Sequence, residues 1–312
     1  MNINRVKNTK RNVSWGMLEK IINIIFQFLI RTITIKILGE EFLGLSSLFT
    51  SILQVLNMAE LGFSNAIVYN LYKPIAENDL KTICALMNAY KKIYRIIGIL
   101  VISIGIIIMP FVPNIINGGI PRGYNINILY LIYLINSGVS YYLFAYKNCL
   151  LEAYQRNDII SKIKVILLIA QTLYQLIVIF IFKNYYLFII VLPIMTIINN
   201  LINAIIVNKN FPNFVCKGKL NKDLKRRIKY DVTGLAIGKI CIISRNSLDN
   251  IFLSIFLNLS IVAIYNNYYY ILTALNTFLA VITSSMSAGV GNSIAIENID
   301  KNYKNYINFN NI

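Results

Sequence analysis

Residues 165–207 read VILLIAQTLYQLIVIFIFKNYYLFIIVLPIMTIINNLINAIIV. The one charged side chain in this run is Lys183, in the Lys183–Asn184 pair that divides it. A helix needs about 20 mainly apolar residues to cross the hydrocarbon core of a bilayer. Val165–Phe182 is slightly short of that and Tyr185–Val207 slightly beyond it. No water reaches N–H and C=O groups inside the hydrocarbon, so such segments satisfy themselves as helices. The run is therefore expected to be a transmembrane hairpin with its turn at Lys183–Asn184.

The pattern recurs on both sides. Val13–Leu38, Phe42–Leu71, Ile93–Val112, Ile126–Ala145, Val232–Leu257 and Ile261–Ala288 bring the expected number of spans to eight. The 312 residues are 57% hydrophobic and 14% charged, with mean hydropathy +0.61. Soluble domains carry about 25% charged and 45–50% apolar residues, and disordered chains fewer apolar ones still. An outer-membrane barrel would show alternating strands of about ten residues instead. A soluble bundle would need polar faces that these helices lack. The expected fold class is all-α: a polytopic membrane helical bundle of about eight transmembrane helices.

Charge placement gives the orientation. The net charge is +17, from 30 Lys and Arg against 13 Asp and Glu. Basic residues crowd the N-terminal segment (Arg5, Lys7, Lys10, Arg11) and alternate loops, most densely between Lys209 and Lys229. The other loops hold only Arg122 and Lys183, with Glu40 and Glu41 in the first of them. Basic loops stay inside, so the N-terminus and the even-numbered connections are expected in the cytoplasm. The excess charge then marks topology and contact with anionic membrane lipids, not a nucleic-acid footprint. The first run is long, charged and without a small-residue cleavage site, so a cleavable signal peptide is not expected. Cys84, Cys149, Cys216 and Cys241 show no CxxC spacing, and there is no histidine. No metal, cofactor or catalytic group is expected from such a set.

Polar residues inside the spans are the candidate site, because a charge there costs several kcal/mol and faces a partner or water. At about 100° per residue, Lys20, Asn23, Gln27, Arg31 and Thr34 share a stripe about 80° wide along the first span. In the second span Thr50, Gln54, Asn57, Glu60 and Ser64 lie within about 120°. In the seventh, Lys239, Asn246, Asp249 and Asn250 lie within about 100°, with Arg245 beside them. Asn266, Thr273, Asn276, Thr277, Ser284 and Ser287 make a stripe in the eighth. The third to sixth spans show no continuous stripe. Single Ser, Thr or Asn residues suit interhelical hydrogen bonds. Arg31 and Arg245 sit about 20–25 Å along their helices, and a guanidinium stays charged there. Snorkelling outward is open to Arg31, pairing with Asp249 to Arg245, and a Lys20–Glu60 pair is a further expectation. The first and seventh spans share a Lys-then-Arg order, as in the repeated halves of many transporters.

The stretch Arg31–Asp79, RTITIKILGEEFLGLSSLFTSILQVLNMAELGFSNAIVYNLYKPIAEND, resembles bacterial oligosaccharide repeat-unit flippases of O-antigen and capsule pathways. Leu38–Phe49, Ala59–Phe63 and Asn70–Asp79 carry the likeness, which weakens through KKIYRIIG and YNNYYYI. Those flippases belong to the multidrug/oligosaccharidyl-lipid/polysaccharide exporter superfamily. The resemblance implies two six-helix lobes around a central cavity, working by alternating access. On that frame residues 1–207 are the N-terminal six-helix lobe. Residues 208–230 are a basic cytoplasmic linker, and 231–312 the first two helices of an incomplete second lobe. Family members have twelve to fourteen helices, so the chain is expected to be C-terminally truncated.

The function implied is movement of a polyprenyl-diphosphate-linked oligosaccharide from the inner to the outer leaflet of the bacterial cytoplasmic membrane. Guanidinium forks suit a diphosphate, so Arg31 and Arg245 are its expected contacts and Lys20 and Lys239 its entry-side attractors. Asn23, Gln27, Asn246 and Asn250 would meet the sugar, and Glu60 and Asp249 would gate or couple an ion. Expected partners are the lipid-linked oligosaccharide, anionic lipids and other polysaccharide-assembly membrane proteins. The alternatives are an organic-cation exporter, which would favour acidic stripes, and an inert fragment. An enzyme of the pathway would need a large outer loop or a cytoplasmic catalytic domain. No GxxxxGK[ST] motif for nucleotide binding is present.

Overall fold

The computed structural model describes residues 5–60, 62–117, 121, 123–296, 303 and 307. Among these all regular structure is helical. Two compact units form, Met1–Ile264 and Tyr265–Ile312. The helices are α1 (Arg5–Ile37), α2 (Glu40–Leu56), α3 (Phe63–Ala76), α4 (Leu80–Ile108), α5 (Ile126–Tyr142), α6 (Asn148–Ala153), α7 (Asn157–Ile177), α8 (Tyr185–Asn210), α9 (Lys222–Phe256) and α10 (Leu259–Ile296). Polar caps start several of them. Asn125 Oδ1 accepts from the N–H groups of Asn127 and Ile128, Asn184 Oδ1 from that of Leu187, and Asn221 Oδ1 from that of Leu224. Each pairs an N-terminal donor that the helix itself cannot.

Five stretches among the described residues are long and apolar enough to cross a membrane, or six if α5 and α6, bent by 48°, count as one. They coincide with the first six expected spans. The chain is thus a multi-pass helical membrane protein. The expected seventh and eighth spans fall on α9 and α10. The side chains of Lys239, Arg245 and Asn246, and those from residue 278 on other than Tyr303 and Ile307, lie outside the described residues.

The second span is not the single continuous helix expected over Phe42–Leu71. It breaks into α2, a 3-10 turn at Asn57–Glu60, and α3. Gly62 starts α3 with φ +77, a left-handed conformation that only glycine adopts without strain. Hydropathy does not register such a break, because Leu, Met and Ala continue through it.

Helix α2 buries one face in the core of the first unit. Leu45, Leu48 and Phe49 are fully buried. Tyr133 Oη donates to Ser46 Oγ at 2.9 Å, and Tyr185 Oη donates to the Phe42 carbonyl at 3.2 Å. Lipid is as apolar as leucine, so such van der Waals and hydrogen-bonded contacts hold membrane helices together. At Gly44 a Cβ would collide with the backbone carbonyl of Leu259, so the first turn of α10 rests directly on the α2 backbone. Helix α9 lies along α2 and α3 and belongs to the same unit. In the second unit the Thr273 and Thr277 hydroxyls donate to carbonyls four residues back on their own helix (both 2.8 Å).

Candidate functional site

The α1 stripe is spread over different surroundings. The α1 span buries none of its most apolar stretch, so the helix lies on the rim of the bundle. Lys20 is exposed, its Nζ 4.0 Å from Glu19 Oε1. Asn23 opens onto a cavity, while Gln27 and Arg31 are half-buried further along the helix. Thr34 is buried, at 3% exposure.

The cavity has a volume of about 310 Å³ and lies between α1, α5, α7 and α8. Glu19 and Asn23 form the α1 wall, and Ser140 the α5 wall. Lys164 and Gln171 come from α7, and Thr196, Asn199 and Asn200 from α8. Leu167, Leu168 and Met195 complete it with apolar surface. Ser161 Oγ donates to Glu19 Oε2 at 3.3 Å, and Thr196 Oγ1 to Asn136 Oδ1 at 2.7 Å. Asn200 is 3% exposed; its Oδ1 receives a long 3.4 Å bond from Asn199, and its Nδ2 has no acceptor. The α7 and α8 residues were not expected from sequence, since these spans show only short polar patches. The signal was there in part: Lys164, Gln171 and Gln175, and Thr196, Asn199, Asn200 and Asn203, recur at helical spacing. Neither patch runs the length of a span, and only their juxtaposition makes a wall.

The break in the second span builds another polar centre. Tyr94 Oη donates to Glu60 Oε1 at 3.2 Å. Ser137 Oγ and Tyr141 Oη both donate to Asn57 Oδ1, at 3.0 and 3.1 Å. A broken helix at membrane depth is tolerated where protein or water satisfies its freed backbone groups, and such breaks mark ion and substrate sites in transporters.

The α9 residues divide. Lys239, Arg245 and Asn246 lie within α9, but their side chains are outside the described residues. Asp249 is exposed. Asn250, expected to meet cargo, is 5% exposed and its Nδ2 donates to Ser51 Oγ at 2.7 Å. Ser247 Oγ donates to Gln54 Oε1 at 3.0 Å. Nearer the start of α9, Asn70 Nδ2 donates to Asp231 Oδ2 at 2.8 Å, and the Arg227 guanidinium lies 5.8 Å from the Tyr69 ring centre. Polar residues of the second and seventh expected spans therefore meet each other in a closed seam here. A buried amide needs a partner, and Ser51 stands opposite Asn250 on the facing helix.

At the N-terminal ends of α1 and α7, Asp158 is 1% exposed and takes three cations. Arg11 Nε lies 2.8 Å from Oδ2, Arg156 Nε 3.1 Å from Oδ1, and Lys162 Nζ 3.9 Å from Oδ2. Asn12 reinforces the tie by donating to the Gln155 carbonyl at 3.0 Å and accepting from the Asp158 N–H at 2.9 Å.

Fold and site define a multi-pass α-helical membrane protein with polar centres inside an apolar bundle. Residues 9–287 match the family described as polysaccharide biosynthesis protein, and the chain belongs to that family. No curated protein and no solved structure matches it.

Proposed function

We propose that this chain carries a polyprenyl-diphosphate-linked oligosaccharide from the inner to the outer leaflet of the bacterial cytoplasmic membrane, by alternating access. The N-terminus is cytoplasmic in this reading, and the product feeds capsule or O-antigen assembly. The role is transport, with no bond made or broken. The observation that carries it is the cavity: Asn23, in the polar line on α1, opens onto a polar-lined space between four helices of a chain from a polysaccharide-biosynthesis family. A membrane protein serving only as scaffold has no use for such a space, since polar groups at that depth are expensive.

The roles follow from chemistry. Arg31 and Arg245 grip the diphosphate, Lys20 and Lys239 attract it at entry, and Gln27 and Asn246 hydrogen-bond the glycan. Asn250 contributes in the state where the α2–α9 seam opens. Glu60 and Asp249 gate or couple an ion. Anionic lipids contact the basic loop between Lys209 and Lys229. The test is complementation in a strain lacking its own flippase, reading inner-leaflet accumulation of lipid-linked repeat units. Wild type is expected to clear the accumulation, Arg31→Ala and Arg245→Ala to leave it, and Arg31→Lys to clear it in part, because lysine keeps the charge but loses the bidentate fork. Clearance by both alanine variants would remove the diphosphate contacts, and failure of wild type at normal membrane levels would remove the transport reading.

A further inference from the structure

We infer that the cavity between α1, α5, α7 and α8 is a subsite for one sugar ring of the cargo glycan, bound through its hydroxyls; the inference rests on the transport reading above. The first support is Asn200. Its side chain is 97% out of solvent, lines the cavity and keeps an Nδ2 donor without an acceptor in the chain. A buried N–H in that state is destabilising unless something else accepts from it.

Size is the second support. A volume of about 310 Å³ sits at the small end of ligand pockets, which run from about 300 to 1,000 Å³. That exceeds what a bare ion fills, and the pocket is open on one side, so one ring can sit in it with the rest of a glycan outside.

Chemistry is the third. The wall carries one cation, Lys164, and one carboxylate, Glu19. Glu19 is shared with Lys20, 4.0 Å away and outside the wall, so the wall offers one lone ammonium, less than the grip a diphosphate takes and unsuited to a metal cation. What remains is a mixture of donors and acceptors. Lys164 and the Asn200 amide donate. Glu19 accepts from Ser161 at one oxygen and keeps further lone pairs. Thr196 spends its proton on Asn136, so its oxygen is left to accept. Asn23 and Gln171 do both. A sugar hydroxyl also donates and accepts at once, so neighbouring hydroxyls on a ring match such a wall, and the leucines beside it match the ring's C–H face.

Depth fits entry. Glu19 stands eight residues into the span that begins at Arg11, and Lys164 seven residues into α7. At about 1.5 Å per residue both lie about 10–12 Å in from those helix starts. On the proposed orientation that is the cytoplasmic half, where a newly assembled glycan arrives.

The experiment uses the purified full chain in lipid nanodiscs, with saturation-transfer NMR of methyl glucoside and methyl glucuronide as probes and inorganic pyrophosphate and sodium as competitors. Each glycoside is expected to give a signal that the other suppresses and that pyrophosphate and sodium leave in place. Asn200→Leu, which keeps the volume and removes the orphan donor, is expected to weaken the signal at least fivefold while raising the melting temperature. A merely structural asparagine would lose stability on the same change, and that result would overturn the subsite. Gln171→Leu is expected to weaken binding with folding intact. Absence of a glycoside signal up to about 50 mM, far above a millimolar Kd, would overturn the proposal. So would displacement of the glycoside by pyrophosphate or sodium, which assigns the cavity to an ion. Glycoside binding without complementation ends the transport reading alone; complementation without glycoside binding ends the subsite alone.

Discussion

Gly44 shows how much one hydrogen atom decides. Its α-carbon lies so close to the Leu259 carbonyl that any Cβ must push α2 and the first turn of α10 apart. Gly44→Ala is expected to destabilise the protein by about 1–3 kcal/mol, the range of overpacked cores, read as a lower melting temperature in detergent. The segments that carry the family resemblance prove to be rich in such structural residues. Gly39 precedes α2 at φ +109, Gly62 restarts the chain after its break, and Asn78 turns it at φ +55 before the Asp79 cap. The likeness was therefore legible as fold, while cargo contacts need not lie in the same residues. Asp158 belongs to this scale too. Asp158→Asn leaves Arg11 and Arg156 without their carboxylate. The loss expected is about 2 kcal/mol, below the usual cost of breaking a buried pair because both arginines are about a quarter exposed. Urea or SDS titration of the purified protein checks the figure, and an unchanged midpoint would show that the cluster ties nothing together.

Helices reveal where sequence reading succeeds and where it stops. The first six spans were legible because bilayer thickness sets the length of an apolar run, whatever the side chains are. The break at Asn57–Glu60 was not, because it is a backbone event inside a run that remains apolar on average. The α7 and α8 walls were missed because each holds only a short polar patch. Of the stripes on the second and seventh spans, Gln54 and Asn250 meet the facing helix in this conformation, through Ser247 and Ser51. That seam is open to a double-mutant cycle. Ser51→Ala and Asn250→Ala are expected to couple by about 0.6–1.7 kcal/mol, the range measured for interhelical hydrogen bonds in membranes, and additive effects would show that the 2.7 Å contact does not bind α2 to α9. Helix α4 offers a pH test outside the membrane. The Thr82 hydroxyl and N–H hold the Asp79 carboxylate below its ordinary pKa. A depressed carboxylate stabilises fully above its unfolded pKa, and that support disappears as pH falls through the folded value. The protection factors of the amides at the start of α4, taken against intrinsic exchange at each pH, should accordingly fall on acidification in wild type and show no such step in Asp79→Asn.

Among the described residues, the apolar bundle holds polar centres at the cavity beside α1, at the break by Glu60 and along the α2–α9 seam. Their separation suits a carrier in which cargo groups, gating charge and helix–helix latch are distinct parts. Glu60→Gln keeps an acceptor for Tyr94 and removes the charge. It is expected to preserve folding while slowing clearance of lipid-linked repeat units, and full transport by this variant would take Glu60 out of the gate. The claim beneath all of this is that the polar line on α1 faces water. Single cysteines at Asn23, Gln27 and Arg31, and at Ile25 and Phe28 on the same helix, placed in a chain whose four native cysteines are replaced by serine, address it directly. A thiol must ionise to react, and it ionises in water far more readily than in lipid. A membrane-impermeant maleimide is expected to label positions 23, 27 and 31 roughly tenfold or more faster than 25 and 28. Equal labelling at all five, or labelling that favours 25 and 28, would contradict a wet chamber along α1.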